Sequence, residues 1–161
     1  MTIAVGDTLP AATFKTMTPD GPSDVTTEEL TKGRKVVIFG VPGAFTPTCH
    51  NNHLPGFLAE YDAIKAKGVD EICVVAVNDV FVMNAWSKAT EADGKITFLA
   101  DGSANFSRAA GLDIDASGFG MGIRSKRYAM IVDNGVVKVI NIEDTPGKAV
   151  ASSAEALLTS L

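Results

Sequence analysis

The sequence offers two thiols for redox chemistry, Cys49 and Cys73. Cys49 follows a loop rich in proline, glycine and threonine and begins a stretch with helical periodicity. A thiol in the first turn of a helix lies near unpaired backbone N–H groups and the positive end of the helix dipole, and both favour the thiolate. Since an ordinary thiol is only about 3% ionised at pH 7, a nucleophilic Cys49 needs a further donor or cation. Position alone is equally compatible with an inert loop thiol.

Cys73 has a different setting, because it lies inside the uninterrupted apolar run 72–77. Such a run predicts a buried strand. Burial raises the pKa of a thiol and makes the side chain behave as a small hydrophobic group. We therefore predict that Cys73 is an unreactive core residue.

Thr46 stands three positions before Cys49, where a dithiol redox motif would carry its other cysteine. A hydroxyl cannot form a disulfide, so the sequence excludes a dithiol oxidoreductase of that type. The Thr46 hydroxyl could hydrogen-bond a thiolate or an incoming oxygen atom, or it could cap the helix. The residues alone leave both roles open.

The apolar patterning predicts an α/β fold in a single domain over residues 1–161, with a central mixed sheet flanked by helices. Buried strands are predicted at 35–40 and 72–77. Between them, apolar residues at three- and four-residue spacing predict a helix over 49–67, which Pro55 should kink or restart.

Shorter elements are predicted for the second half of the chain. Asn134-Gly135 is a strong signal for a hairpin turn between two strands. Ser152 and Glu155 form a capping box that predicts the start of the last helix. The predicted elements are a helix after Asp79, a strand at 96–99, a helix at 105–110, and the hairpin strands at 128–132 and 136–142.

Composition and charge exclude several classes of partner. The net charge of −5 and the pI of about 4.9 disfavour binding to nucleic-acid phosphate and anionic lipid. No apolar run is long enough to span a membrane. No secretory signal is visible and two cysteines suit a reducing compartment, so we expect a cytoplasmic protein. The short basic cluster of Arg124, Lys126 and Arg127 favours a small anionic or polar ligand.

Two segments carry a family resemblance, VPGAFTPTC at 41–49 and HLPGF at 53–57. They closely resemble the active-site segment of peroxiredoxins, and within that family the type II or peroxiredoxin-five-like subfamily. Further matches extend along nearly the whole chain, at VND 77–79, LADG 99–102 and RSKRY 124–128. The resemblance implies a thioredoxin-like fold and a thiol peroxidase that reduces hydrogen peroxide and alkyl hydroperoxides, without a cofactor or a metal.

The resemblance also implies a role for each matching residue. Cys49 corresponds to the peroxidatic cysteine, which would become a sulfenic acid. Thr46 corresponds to the hydroxyl that orients the peroxide, and Pro42 to the ring that shields the site. Arg127 corresponds to the arginine that stabilises the thiolate and polarises the peroxide. Arg124 is a second cation nearby, which we expect to be a solvated loop charge.

The sequence departs from the subfamily pattern in ways that affect the reaction cycle. No cysteine follows Cys73, so a C-terminal resolving disulfide cannot form. A one-cysteine cycle is therefore expected, in which an external thiol resolves the sulfenic acid. The resemblance suggests glutathione with glutaredoxin, or else thioredoxin. Val80 stands where relatives commonly have proline, which leaves the start of that helix in doubt.

His50 directly follows Cys49, where relatives often have a small residue. We expect it to be exposed and without a catalytic role, because consecutive helical side chains do not face each other. With Cys49 and His53 it would make a cramped metal trio without a fourth ligand, so no metal is expected.

The resemblance implies that the loops around the site form a homodimer interface. The apolar side chains in question could instead fill the core: Phe45, Phe81, Phe119 and Met121. Two further functional hypotheses remain at this point. One is a non-catalytic binding or chaperone-like module in which Cys49 is incidental, and the other is a redox relay that oxidises a partner protein.

Overall fold

The strands lie in two sheets in the computed structural model, which describes residues 1–145 and 147–161. In chain order they are β1 (Thr13–Thr18), β2 (Gly21–Thr26), β3 (Lys35–Gly40), β4 (Glu71–Ala76), β5 (Thr97–Ala100), β6 (Asp113–Asp115), β7 (Ile123–Ser125), β8 (Tyr128–Asp133) and β9 (Val136–Ile142). The larger sheet has the order β2-β1-β5-β4-β3-β8-β9, and β6 pairs with β7 in the smaller one.

Short helices cover the larger sheet. They are α1 (Thr27–Thr31), α2 (Leu54–Ala59), α3 (Tyr61–Ala66), α4 (Val80–Ala89), α5 (Asn105–Ala109) and α6 (Ala154–Leu158), with a π-helical turn at Cys49–His53 and a 3₁₀ turn at Ser117–Phe119. Within the described residues, none of these helices is long and apolar enough to cross a membrane.

The centre of the sheet is mixed, as the sequence predicted. β3 runs parallel to β4 and antiparallel to β8. Side chains alternate between the two faces of a strand, so Val37 and Phe39 pack in the same cluster as Cys49, while Ile38 packs in the other cluster with Cys73. The sheet therefore separates the two cysteines.

The predicted hairpin is confirmed, with Asn134 and Gly135 at φ of 49° and 81° between β8 and β9. The hairpin of β1 and β2 was missed by the sequence analysis. β2 lies at the edge of the sheet and is largely exposed, so it lacks an apolar alternation, and Pro22 fits there because an edge strand can lack a donor.

The helix predicted over 49–67 is broken into three pieces. The Leu54 N–H donates to the Cys49 carbonyl, five residues back, which makes the first turn a wide one. Pro55 lies in the first turn of α2, where its missing N–H is tolerated. A second break at Glu60, which the sequence analysis did not predict, separates α2 from α3.

Two helix starts are decided by single side chains. Asp79 accepts a hydrogen bond from the Val82 N–H at 2.9 Å and caps α4, so the helix begins at Val80 without a proline. The predicted cap of the last helix was wrong by one residue. Ser153 caps α6 by accepting from the Ala156 N–H, whereas the Ser152 hydroxyl donates to Glu143.

Gly40 provides a test of the packing that positions the site. It pairs with Tyr128 across β3 and β8, and a Cβ at Gly40 would stand 2.1 Å from Tyr128 Cε1. We expect Gly40→Ala to lower the free energy of unfolding by about 3 kcal/mol, because the buried ring must move. Urea unfolding measures the difference.

The matched control is Gly56→Ala in α2, where no atom lies within 4 Å of the new Cβ. This change should stabilise the protein by about 0.5–1 kcal/mol through the helix preference of alanine. Equal unfolding midpoints for the two variants would contradict the close approach of Tyr128 to β3.

Candidate active site

Cys49 is fully buried at the first residue of the π-helical turn, just beyond the loop that follows β3. Arg127 comes from the neighbouring strand. It directly precedes β8, whose first residue pairs with the last residue of β3. The Arg127 Nη2 donates to the Cys49 Sγ at 3.0 Å. The arginine is itself only 2% exposed. A permanent cation therefore contacts the sulfur in the protein interior.

His53 lies one helical turn after Cys49 and contacts the same arginine. Its Nε2 lies 2.8 Å from the Ser152 carbonyl, and its Nδ1 lies 3.1 Å from Arg127 Nη1. A carbonyl and a guanidinium can both be satisfied only when the ring carries its proton on Nε2 and accepts at Nδ1. Burial, with the Arg127 charge adding to it, lowers the pKa of His53 to about 4. The ring is therefore neutral near pH 7.

Thr46 is half-buried on the loop before Cys49. Its hydroxyl donates to the Gly43 carbonyl at 2.7 Å, and its own carbonyl accepts from the His50 N–H at 2.8 Å. Because the hydroxyl proton is used within the loop, the Thr46 oxygen can only accept a hydrogen bond from a substrate in this arrangement.

Pro42 is buried in the same loop, and its carbonyl accepts from Arg124 Nη1 at 3.5 Å. Arg124 Nε also donates to the Met121 carbonyl at 2.9 Å. The expectation that Arg124 is a solvated loop charge was wrong, because its guanidinium lies against the active-site loop. A Cβ at Gly43 would be only 2.9 Å from Arg124 Nη1.

His50 is half-buried, and the expectation that it is exposed was also wrong. Its Nδ1 accepts from Trp86 Nε1 at 3.0 Å, and its ring stacks on Phe45 at 5.6 Å. The buried indole of Trp86 needs an acceptor for its N–H. That requirement was visible in the sequence, since Trp86 lies on the apolar face of its helix, but the partner was not.

Cys73 is a core residue, as predicted. It is fully buried, and its Sγ lies 3.7 Å from Glu71 Oε2. Burial, and next the Glu71 carboxylate, raise the pKa of this thiol well above its ordinary value. Cys73 is therefore a neutral thiol on the face of the sheet opposite Cys49.

The described residues contain no group of three histidine, cysteine or acidic side chains placed to hold a metal ion. Both ring nitrogens of His53 are already engaged in hydrogen bonds.

Three aromatic side chains near the site do not fill the core. Phe45, Phe81 and Phe119 are 48%, 66% and 87% exposed. Phe45 lies in the loop before Cys49, Phe81 in the first turn of α4 and Phe119 in the 3₁₀ turn. The Ala44 N–H donates to Asn78 Oδ1, which joins the loop before Cys49 to the segment before α4.

Sequence reasoning missed a set of polar contacts behind Arg127. Glu143 Oε2 accepts from the Val150 N–H at 2.8 Å, from the Ser152 N–H at 2.6 Å and from the Ser152 hydroxyl at 2.6 Å. The Ser152 carbonyl in turn is the acceptor for His53. No local pattern signals these contacts, since Glu143 and Ser152 lie nine residues apart in the chain.

Comparison with known proteins gives consistent similarities. A family model described as Redoxin matches residues 4–158. Peroxiredoxin-2C of Oryza sativa subsp. japonica is 48% identical over 160 residues, which cover 99% of this chain and 98% of that protein. The chloroplastic peroxiredoxin-2E-2 of the same species is 50% identical over 165 residues, covering 99% and 73%. Reduced Prx3 of Vibrio vulnificus, solved in complex with H₂O₂, has a TM-score of 0.93 and 52% identity, covering 98% of each chain.

These similarities extend over the length of the chain and include the segment in which Arg127 contacts the buried Cys49 sulfur. The chain therefore belongs to the redoxin family and is a peroxiredoxin of the type II, peroxiredoxin-five-like group, a thiol-dependent peroxidase.

Proposed function

We propose that Cys49 is the peroxidatic cysteine of this enzyme and that Arg127 activates it. The contact of 3.0 Å between Arg127 Nη2 and Cys49 Sγ carries the proposal. Both groups are buried, so water screens their interaction little, and a cation next to the sulfur favours its anionic form. Only the thiolate is a competent nucleophile.

The thiolate sulfur attacks one oxygen of the peroxide, and the O–O bond breaks. The S–O bond that forms leaves Cys49 as a sulfenic acid, and the departing oxygen takes a proton to become water or an alcohol. Negative charge develops on that oxygen in the transition state. Arg127 donors stabilise it there, as in an oxyanion hole.

Thr46 and Pro42 shape the approach of the substrate. The Thr46 oxygen accepts the hydrogen bond of the hydroperoxide O–H and so holds that oxygen beside the sulfur. Attack on it leaves the hydroxyl on Cys49 and releases the other oxygen as water or an alcohol. Pro42 is buried at the start of the loop and excludes water from the thiolate. The buried sulfur favours small substrates, namely hydrogen peroxide and alkyl hydroperoxides. The Vibrio vulnificus relative solved with H₂O₂ supports the first of these.

An external thiol completes the cycle. Cys73 packs on the opposite face of the sheet from Cys49, which argues against an internal disulfide. A first thiol condenses with the sulfenic acid to give a mixed disulfide and water, and a second thiol releases Cys49 as a thiol. Glutathione with glutaredoxin is the first candidate reductant and thioredoxin the second. A reducing compartment such as the cytoplasm suits this chemistry.

A homodimer is the second part of the proposal. The exposed rings of Phe45, Phe81 and Phe119 lie in the loop before Cys49, in the first turn of α4 and in the 3₁₀ turn, respectively. Exposed aromatic clusters of this kind are typical of protein interfaces. We propose that a second copy of this chain packs on this surface and covers the three rings.

Substitution of each cysteine tests the proposed one-cysteine peroxidase cycle. Cys49→Ser should abolish peroxide consumption and sulfenic acid labelling. Cys73→Ser should keep turnover within about twofold of wild type, because Cys73 lies on the opposite face of the sheet and its pKa is raised. Peroxide removal is measured with the glutathione–glutaredoxin and thioredoxin systems in parallel. Loss of turnover in Cys73→Ser with both systems would overturn the one-cysteine cycle. Unchanged peroxide consumption in Cys49→Ser would overturn the assignment of Cys49 as the peroxidatic cysteine.

The neutral state of His53 predicts a pH dependence of stability. Its pKa is about 4 in the folded protein against 6.5 for the unfolded chain, so the unfolded chain binds more protons between these values. This contribution is fully favourable above pH 6.5, and stability falls as the pH drops toward 4, by about 3 kcal/mol in total. Urea unfolding at several pH values should show that the free energy of unfolding changes less with pH for His53→Gln than for wild type. An equal pH dependence of the free energy of unfolding in the two proteins would contradict the buried neutral ring.

The proposed interface is tested by Phe119→Asp, which places a charge on the most exposed of the three rings. Sedimentation velocity should show a dimer for wild type and a monomer for this variant, because an interface core does not tolerate an unpaired carboxylate. Val5→Asp, at an apolar side chain that is also exposed, is the matched control and should remain dimeric. A monomeric wild type, or a dimeric Phe119→Asp, would contradict the interface.

A further inference from the structure

Glu143 is a charged residue that the mechanism above does not use, although its backbone is hydrogen-bonded to that of Arg127. It follows β9, and its backbone N–H donates to the Arg127 carbonyl at 3.0 Å. Its carboxylate faces the segment before α6, where one oxygen accepts the three hydrogen bonds from Val150 and Ser152. Ser152 is fully buried, so its donors have no water to replace this oxygen.

The segment that Glu143 holds also contacts the helix that carries the sulfur. The Thr48 hydroxyl donates to the Gly147 carbonyl at 3.1 Å, and His53 donates from Nε2 to the Ser152 carbonyl at 2.8 Å. The Ser152 carbonyl keeps the proton of His53 on Nε2 and leaves the Nδ1 lone pair for Arg127. With the other tautomer, a ring N–H would face the guanidinium N–H groups, and Arg127 would lose that acceptor.

We propose that Glu143 is a positioning residue for peroxide reduction, acting through Ser152 and His53 to hold the Arg127 guanidinium against Cys49. The proposal rests on the role of Cys49 and Arg127 proposed above. The contacts form an unbroken series from the Glu143 carboxylate to the sulfur, and each step in it is a hydrogen bond of 3.1 Å or less.

Position and charge predict opposite effects for this residue. A carboxylate acting only through its negative charge disfavours a thiolate nearby, so removing it would ease the ionisation of Cys49 and speed the reaction. A carboxylate that positions the arginine has the reverse effect, because its removal lets Arg127 leave the sulfur. The sign of the change therefore distinguishes the two roles.

The test uses Glu143→Ala, with Asp144→Asn as the control, since Asp144 is the adjacent and exposed carboxylate. The rate of Cys49 oxidation by hydrogen peroxide is measured in a single turnover by stopped flow, and the thiolate is titrated by its ultraviolet absorbance. We expect Glu143→Ala to oxidise about tenfold more slowly and to form the thiolate at higher pH, a size seen when residues that orient a functional ligand are removed. Asp144→Asn should match wild type. A rate equal to or above wild type, or an unchanged titration with only a lower melting temperature, would overturn the proposal.

A double-mutant cycle with His53→Gln tests the route of the effect. If Glu143 acts through His53, its substitution should change the rate little once His53 is replaced, whereas additive effects would overturn the proposed series. Glu143→Gln keeps one accepting oxygen and the side-chain volume, so it should retain most of the rate. If Glu143→Ala does not fold, Glu143→Leu replaces it in the cycle, because leucine keeps much of the side-chain volume and removes both accepting oxygens.

The same measurement on Arg127→Ala separates this proposal from the one on which it rests. Slow oxidation of Arg127→Ala together with normal oxidation of Glu143→Ala overturns only the role of Glu143. Normal oxidation of Arg127→Ala overturns the activation of Cys49 itself.

Discussion

The contact between a guanidinium and a sulfur inside the protein is the interaction on which the proposed chemistry depends. Arg127 and Cys49 are both removed from water, and a buried cation is tolerated only where partners satisfy it. The Cys49 sulfur and the His53 ring are such partners. A guanidinium also brings a permanent positive charge to the site.

The pairing of β3 with β8 places Arg127 next to Cys49. Arg127 and Cys49 are 78 residues apart, and the antiparallel pairing of β3 with β8 places the start of one strand beside the end of the other. The next pairing, of β8 with β9, brings the Glu143 backbone to the carbonyl of the same arginine. The arginine backbone is thus held by the sheet, and its side chain is held by His53. Such a site loses little entropy when it binds a small substrate.

Local patterns in the sequence were sufficient for most of the scaffold. The apolar runs predicted β3 and β4, and Asn134-Gly135 predicted the hairpin, since these signals depend on residues close together in the chain. The burial of Cys73 followed from its neighbours in the same way. The edge hairpin of β1 and β2 escaped prediction, because an exposed polar strand is specified by its partner and not by its own pattern.

The sequence by itself predicted that Cys73 is an unreactive core residue, because its neighbours form an apolar strand, and the family resemblance selected Cys49 as the reactive cysteine. Only the tertiary structure decided how the reactive sulfur is held. The wide turn at Cys49, the neutral His53 and the attachment of Ser152 to Glu143 all depend on groups brought together by folding. His53 meets Arg127 across 74 residues and Ser152 across 99 residues. Hydrogen bonds over such separations leave no periodicity in the chain, since they are set by strand register and by burial.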